Sequence, residues 1–159
     1  TTIFTPNISN KSLLAWCKLN STSQTGGGLI TLEKSDGTVF DSIVYNENSN
    51  GWGFGSESYN RSGWSGISES SISQWVFICA TYENNNYKLY RNGVQIYGTS
   101  TYNAYTFSFS SRVLIGKRNT GGSNPHLDAS ISHGKLYARV LSSSEVMREF
   151  NAAKGRYGL

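Results

Sequence analysis

Gln74-Trp75-Val76-Phe77-Ile78-Cys79-Ala80-Thr81-Tyr82 leads through Glu83-Asn84-Asn85-Asn86 into Tyr87-Lys88-Leu89-Tyr90-Arg91-Asn92-Gly93-Val94-Gln95-Ile96-Tyr97-Gly98. Trp75 to Tyr82 is a near-continuous apolar run, the pattern of a central strand buried on both faces. Asn84 to Asn86 is a turn. Asn92-Gly93 tolerates φ > 0 at both positions and is the strongest short hairpin signal. A two-residue loop there sets Arg91 opposite Val94, Tyr90 opposite Gln95 and Leu89 opposite Ile96. Leu89 and Ile96 then share one face, with Tyr90 and Tyr97 on the other.

Outward from this stretch the pattern repeats. Leu13 to Leu19 is an apolar-rich strand, and Ser21 to Gly28 a polar, glycine-rich loop. Leu29 to Glu33 and Thr38 to Tyr45 form a hairpin around Asp36-Gly37. A short strand falls near Gly51 to Gly55. Further strands are expected at Phe107 to Phe109, at Arg112 to Gly116, and as one or two closing strands within Leu127 to Val140. Many short strands with Gly and Asn turns predict an all-β, two-sheet antiparallel jelly-roll sandwich. One helix is expected. Ser142-Ser143-Ser144-Glu145 is a capping box, Leu141 and Val146 sit at staple positions, and Val146 and Phe150 lie one turn apart. They predict a short C-terminal helix over 143–153, ended near Gly155.

Composition narrows the function. The 159 residues read as one domain, 1–159. Charged residues are 15% and aromatics 13%, which excludes a disordered chain. No apolar run approaches the ~20 residues of a membrane span, so no membrane insertion is expected. No charged-then-apolar leader opens the chain, and Thr1-Thr2 fits either a removed initiator Met or an excised domain. Residues 1–100 hold six Lys/Arg against seven Asp/Glu, and residues 101–159 hold eight against three. The net +4 is therefore a C-terminal feature. It suits docking to an acidic surface better than nucleic acid, which is not expected as a partner.

Chemistry is sparse. There is no Gly-x-Ser-x-Gly elbow, and Gly26-Gly27-Gly28 leads into a strand, so it cradles no phosphate. Cys17 and Cys79 read as small buried hydrophobes, with a disulfide left open. Residues 46–66 concentrate what sugars need: aromatic rings for apolar C–H faces, and amides and a guanidinium for hydroxyls. Asn48, Asn50, Trp52, Tyr59, Arg61 and Trp64 are the candidates there. A second cluster is Asn119, Asn124 and His126. Trp16 and Trp75 are core by pattern. Trp52 is balanced between a core plug and a ligand platform, and Trp64, between Gly63 and Gly66, leans to the surface.

Four segments carry a resemblance. They are Leu14-Ala15-Trp16, the 74–94 stretch, Val113-Leu114-Ile115-Gly116, and Gly134 to Ser142 with Glu145-Val146. In order and spacing they resemble the laminin G-like group of the concanavalin A-like lectin/glucanase superfamily, over roughly residues 11–153. Leu127-Asp128-Ala129 departs from the family's usual Phe-x-Gly. The ending Phe150 to Leu159 is similar to that of such domains in tailed-phage structural proteins. The resemblance implies a two-sheet jelly roll. Hydrolases of the superfamily often carry Glu-x-Asp-x-x-Glu on one strand, a string that does not occur here. Glu33, Asp41 and Glu83 are isolated, and no enzyme activity is expected. No cofactor is expected either, although calcium, which laminin G-like domains often bind, would draw on Asp36, Asp41 or Asp128.

The expected function is a non-catalytic recognition or adhesion module on a virion surface (capsid decoration, head fibre or tail component) or in an extracellular setting. It would bind a glycan or cell-surface polysaccharide through the loops, with other virion proteins and a second copy of itself as further partners. The alternatives are a structural capsid-docking or oligomerising protein without sugar binding, and a divergent glycoside hydrolase.

Overall fold

Leu13, Ala15, Cys17 and Leu19 point to one side of a strand, and Leu14 and Trp16 to the other, yet all are at most 2% exposed. A strand buried on both faces needs a second layer on each side. The computed structural model, which describes residues 2–123 and 126–159, supplies both. Its elements in chain order are β1 (Lys11–Leu19), β2 (Gly27–Lys34), β3 (Phe40–Tyr45), β4 (Trp52–Ser56), β5 (Gly63–Trp64), β6 (Val76–Tyr82), β7 (Tyr87–Arg91), β8 (Val94–Thr99), β9 (Ser111–Ile115), β10 (Ala129–Tyr137) and α1 (Ser143–Ala153). The first sheet runs β10-β1-β6-β7-β8 and the second β5-β4-β3-β2-β9, all pairs antiparallel. The architecture is the expected jelly-roll sandwich with one short C-terminal helix.

Between the sheets, the inward residues of β1 and β6 meet Ile30, Leu32, Ile43, Tyr45, Trp52 and Phe54 of the second sheet. Outside the first sheet, Leu14, Trp16, Phe77, Cys79 and Tyr90 are covered by α1 through Val146, with Phe150 beside it. Each such side chain contributes about 1.5–3 kcal/mol when fully buried. The helix spans the expected 143–153. Ser142 Oγ accepts from the Glu145 N–H, and Glu145 accepts from the Ser142 N–H at 2.8 Å, completing the capping box.

Four expectations change. The 87–99 hairpin keeps Arg91 opposite Val94 and Tyr90 opposite Gln95, but Leu89 pairs with Tyr97, not Ile96. A bulge adds one residue to β8, so Tyr97 packs against the core between the sheets while Tyr90 faces α1. Phe107 to Phe109 is no ladder strand: Phe107 makes only an isolated bridge to Ile8. Trp75 is partly buried, packed against Tyr157 at 4.7 Å. Cys17 and Cys79 are free and face opposite sides of the same sheet, so they cannot pair.

Candidate functional site

The second sheet alternates in the same way. Trp52 and Phe54 turn inward, leaving Gly53 and Gly55 on the outer face with Thr31, Ser42 and Val44. The segment 116–123 lies over that face. Thr31 Oγ1 donates to the Lys117 carbonyl (2.9 Å) and bonds Ser42 Oγ (2.6 Å). Two glycines make the approach possible. A Cβ on Gly28 would come within 2.4 Å of Arg118 Cα, and one on Gly37 (φ +75°) within 2.4 Å of the Gly121 nitrogen.

Between this segment, the 35–39 turn and residues 57–59 opens a groove of about 350 Å3. That is the lower end of the ~300–1,000 Å3 typical of ligand clefts. Its walls carry the rings of Phe40 and Tyr59, the side chains of Thr38, Glu57, Arg118 and Asn119, and the backbone of Gly121 and Gly122. Ser58 (φ 48°) and Tyr59 (φ 58°) are consecutive left-handed residues, and Tyr59 is left 53% exposed. Non-glycine residues adopt this region at a cost of about 1–3 kcal/mol each, and such strain clusters at binding sites.

Two ion-pair systems set the charge of the groove. Arg61 Nη1 and Nη2 donate to the two Glu57 oxygens at 2.8 and 2.9 Å, and Nε to Asp41 at 3.0 Å. Glu57 Oε2 also accepts from the Phe40 N–H at 3.1 Å. Burial alone would lower the Arg61 pKa. Asp41 and Glu57 beside it reverse the shift and keep it protonated. On the other side Arg118 pairs with Glu47, which also accepts the Tyr59 hydroxyl at 3.1 Å. The Arg118 guanidinium lies 6.0 Å from the Phe40 ring centre. Each cation bordering the groove is thus matched by a carboxylate.

The nine residues singled out from sequence do not form one surface. Tyr59 and Asn119 line the groove. Trp64, half-buried, packs beside Tyr59 at 6.0 Å between ring centres. Asn48 and Asn50 are exposed on the adjoining turn, outside the groove. Trp52 is fully buried, and its Nε1 donates to Glu69 at 2.7 Å, so its ring is a core element and offers no face to a ligand. Arg61 is 8% exposed with its donors spent on carboxylates and the Phe40 carbonyl, so it supports the groove from beneath. His126 is exposed and bridges Gly28 and Lys117, outside the groove lining. Asn124 lies outside the described residues. Phe40, Glu57 and Arg118 were not singled out from sequence. The only local hint was Arg118-Asn119 followed by Gly121-Gly122.

Each of the three aspartates that calcium would draw on has a partner within the chain. Asp36 accepts from Thr38 in its own turn, Asp41 is spent on Lys11 and Arg61, and Asp128 accepts from Asn20. Among the described residues no group of three or more His, Cys, Asp or Glu could hold a metal ion.

Two five-stranded antiparallel sheets packed face to face define a concanavalin A-like β-sandwich. The chain belongs to the concanavalin A-like lectin/glucanases superfamily, whose Laminin_G_3 family model matches residues 4–147. Solved structures share the fold. Domain 4 of AbnA, an extracellular arabinanase of Geobacillus stearothermophilus in complex with arabinotriose, superposes with a TM-score of 0.72 at 18% identity, covering 90% of this chain and 67% of that one. The CBM40 of Ruminococcus gnavus IT-sialidase, bound to α2,3 sialyllactose, gives 0.65 at 13% identity over 91% and 84%. Trypanosoma rangeli sialidase gives 0.67 at 16% identity, and this chain spans 23% of its length. No curated protein matches the sequence.

Proposed function

We propose that the chain is a non-catalytic carbohydrate-recognition module that holds an uncharged glycan in the groove walled by Phe40 and Tyr59. The observation that carries this reading is the pairing of the exposed Tyr59 ring with a polar, charge-balanced wall. A sugar's C–H face stacks on an aromatic ring, and its hydroxyls bond to Thr38, Asn119 and the Gly121–Gly122 backbone. Of the groove's own walls, Glu57 is neutralised by Arg61 and Arg118 by Glu47, so a carboxylate on the ligand would find no unmatched cation. The complexes of AbnA domain 4 and of CBM40 with oligosaccharides support the reading at the level of fold.

Catalysis is disfavoured because hydrolysis needs two carboxyl groups flanking a bond, one of them a proton donor. Glu57 is already engaged by Arg61 and the Phe40 N–H, and Glu47 by Arg118 and the Tyr59 hydroxyl, so neither carboxyl is left free to flank a bond. We place the module on a virion or other extracellular surface, a reading that rests on the Phe150–Leu159 ending. Among the described residues no helix is long and apolar enough to cross a membrane. Capsid and tail genes beside its own would support the virion setting, and their absence would overturn it.

A glycan array probed with the wild type and Tyr59→Ala tests the module. Binding to uncharged glycans, lost in the variant, is the expected result. Silence across a broad array, or binding confined to sialylated or uronate-bearing glycans, would overturn it.

A further inference from the structure

A second cavity lies on the opposite side of the molecule, where α1 covers the first sheet. It measures about 190 Å3. Its floor is apolar, made by Leu14, Trp16 and Phe77, and its α1 wall is thinned by Ala152 and Ala153. Its rim is basic: His133, Lys135 and Arg156 border it. One carboxylate, Glu149, shares the rim, but it is already bound by Lys135 Nζ at 2.7 Å and by the Tyr137 hydroxyl at 2.6 Å. Arg156 makes no hydrogen bond or ion pair among the described residues. A guanidinium left open above an apolar floor is matched to an anion.

A separate backbone feature aims at the same place. β10 pairs Lys135 with Leu14 and Ser132 with Trp16, so two residues, His133 and Gly134, stand opposite the single Ala15. This is a bulge, and its first residue is left-handed at φ 53°. Glycine normally takes that position. Here it is a histidine. Its Nδ1 shares hydrogen bonds with the Tyr157 hydroxyl and with Ser132 Oγ (2.8 Å), tying the rim to the C-terminal turn. Bulges re-aim side chains beside binding sites, and a non-glycine residue kept in this conformation is a pointer to function.

We infer that this cavity is a second ligand site, independent of the glycan groove, and that it takes a small organic monocarboxylate with an apolar body. The carboxylate bonds Arg156 at the rim, and the apolar body enters over the Trp16 and Phe77 edges. The volume is below that of drug-sized clefts, so the body is of the order of a single ring or a short branched chain.

The full chain, titrated with sodium benzoate and followed by 15N–1H NMR, tests this. Saturable shifts of the Trp16 indole N–H and of the His133 to Lys135 amides are expected, while the Tyr59 amide stays still. Benzamide, the neutral isostere, should bind about tenfold or more weakly, the equivalent of one lost charged contact of about 1.4 kcal/mol. Arg156→Gln should weaken benzoate to a similar extent without altering the unperturbed spectrum elsewhere. His133→Gly places in the bulge the residue it ordinarily carries, so the backbone is preserved and any loss reads on the imidazole. Absence of saturable shifts, equal affinity for benzamide, or an Arg156→Gln variant that binds like the wild type would each overturn the inference. Glycan binding by the same samples is scored separately at Tyr59, so the two sites stand or fall apart.

Discussion

Lys11 Nζ lies 2.8 Å from Asp41 Oδ2, and both side chains are fully buried. Lys11 comes from β1 and Asp41 from β3, so the ion pair crosses the gap between the two sheets. Asp41 also holds Arg61, which in turn holds Glu57 at the groove. The rings of Tyr82 and Phe107 flank the ammonium at 5.1 and 5.0 Å.

Removing the shared anion leaves the buried Lys11 ammonium without a counter-ion and strips Arg61 of one of its two carboxylates. Asp41→Asn should therefore destabilise the chain by about 3–5 kcal/mol. Urea denaturation followed by tryptophan fluorescence measures it. A loss no larger than that of an exposed pair would show that water enters the end of the sandwich.

Trp52 and Tyr59, both in the 46–66 region, should separate in their effects. Trp52→Ala empties a core position and should cost about 3–5 kcal/mol. Tyr59→Ala, on a ring 53% exposed, should leave stability within about 0.5 kcal/mol and abolish glycan binding. Thermal melts paired with array binding distinguish them. A Trp52→Ala protein that stays fully stable would contradict its burial.

The helix cap couples the C-terminus to the first sheet. Ser142→Ala removes the acceptor for the Glu145 N–H and should cost about 1 kcal/mol. Because α1 covers Trp16, whose ring stacks on Phe150 at 5.6 Å and Tyr157 at 4.2 Å, the near-ultraviolet circular dichroism should weaken in step.

Acid should loosen the same region. The Arg139 side chain, together with the Ser142 N–H, holds the Glu145 carboxyl down at about 2, against an ordinary 4.5. Burial raises the Glu149 carboxyl, but Lys135 and Tyr137 outweigh it and the net shift is downward. A carboxylate whose folded pKa is depressed stabilises fully above its unfolded value, and the contribution is lost as pH falls toward the folded one. Stability should therefore decline between about pH 4.5 and pH 2, and Glu145→Gln should flatten part of that decline. Urea midpoints across this range give the measurement.

Neither thiol should react in the native state. Burial pushes both Cys17 and Cys79 well above the ordinary thiol range, leaving almost no thiolate at neutral pH. An aromatic disulfide reagent should titrate two thiols in denaturant and close to none without it. Rapid labelling of the folded protein would overturn the assignment of both to packed strand faces.

Local patterns were legible where one element settles its own structure. The helix over 143–153 follows from a cap, a staple and an i,i+4 pair, all within one segment. The apolar run of β6 announces a central strand and that of β1 a strand, while the cover on both sides of β1 is seen only in the tertiary structure. The 87–99 register was misread at a single residue because a bulge leaves no mark in an alternating pattern. Phe107 reads as part of a strand, but among the described residues its bridge to Ile8 stands isolated. Within 46–66, composition could not sort which side chains line a groove and which are buried. Tyr59, Trp52 and Arg61 are equally suited to sugars by residue type.

The sequence by itself determined the sandwich, its strand-rich order, the capped helix and the family, because alternation, turn chemistry and capping are short-range. The tertiary structure alone decided which side chains face a groove. Trp52 went inward because β4 pairs with β3 in a register that turns its even-numbered residues to the core. Arg118 and Phe40 became neighbours because two glycines let segment 116–123 lie against the second sheet. His133 and Arg156 share a rim because a bulge in β10 meets the turn after α1. Each of these is a contact between segments distant in the chain, and its energy depends on where both backbones have already been placed.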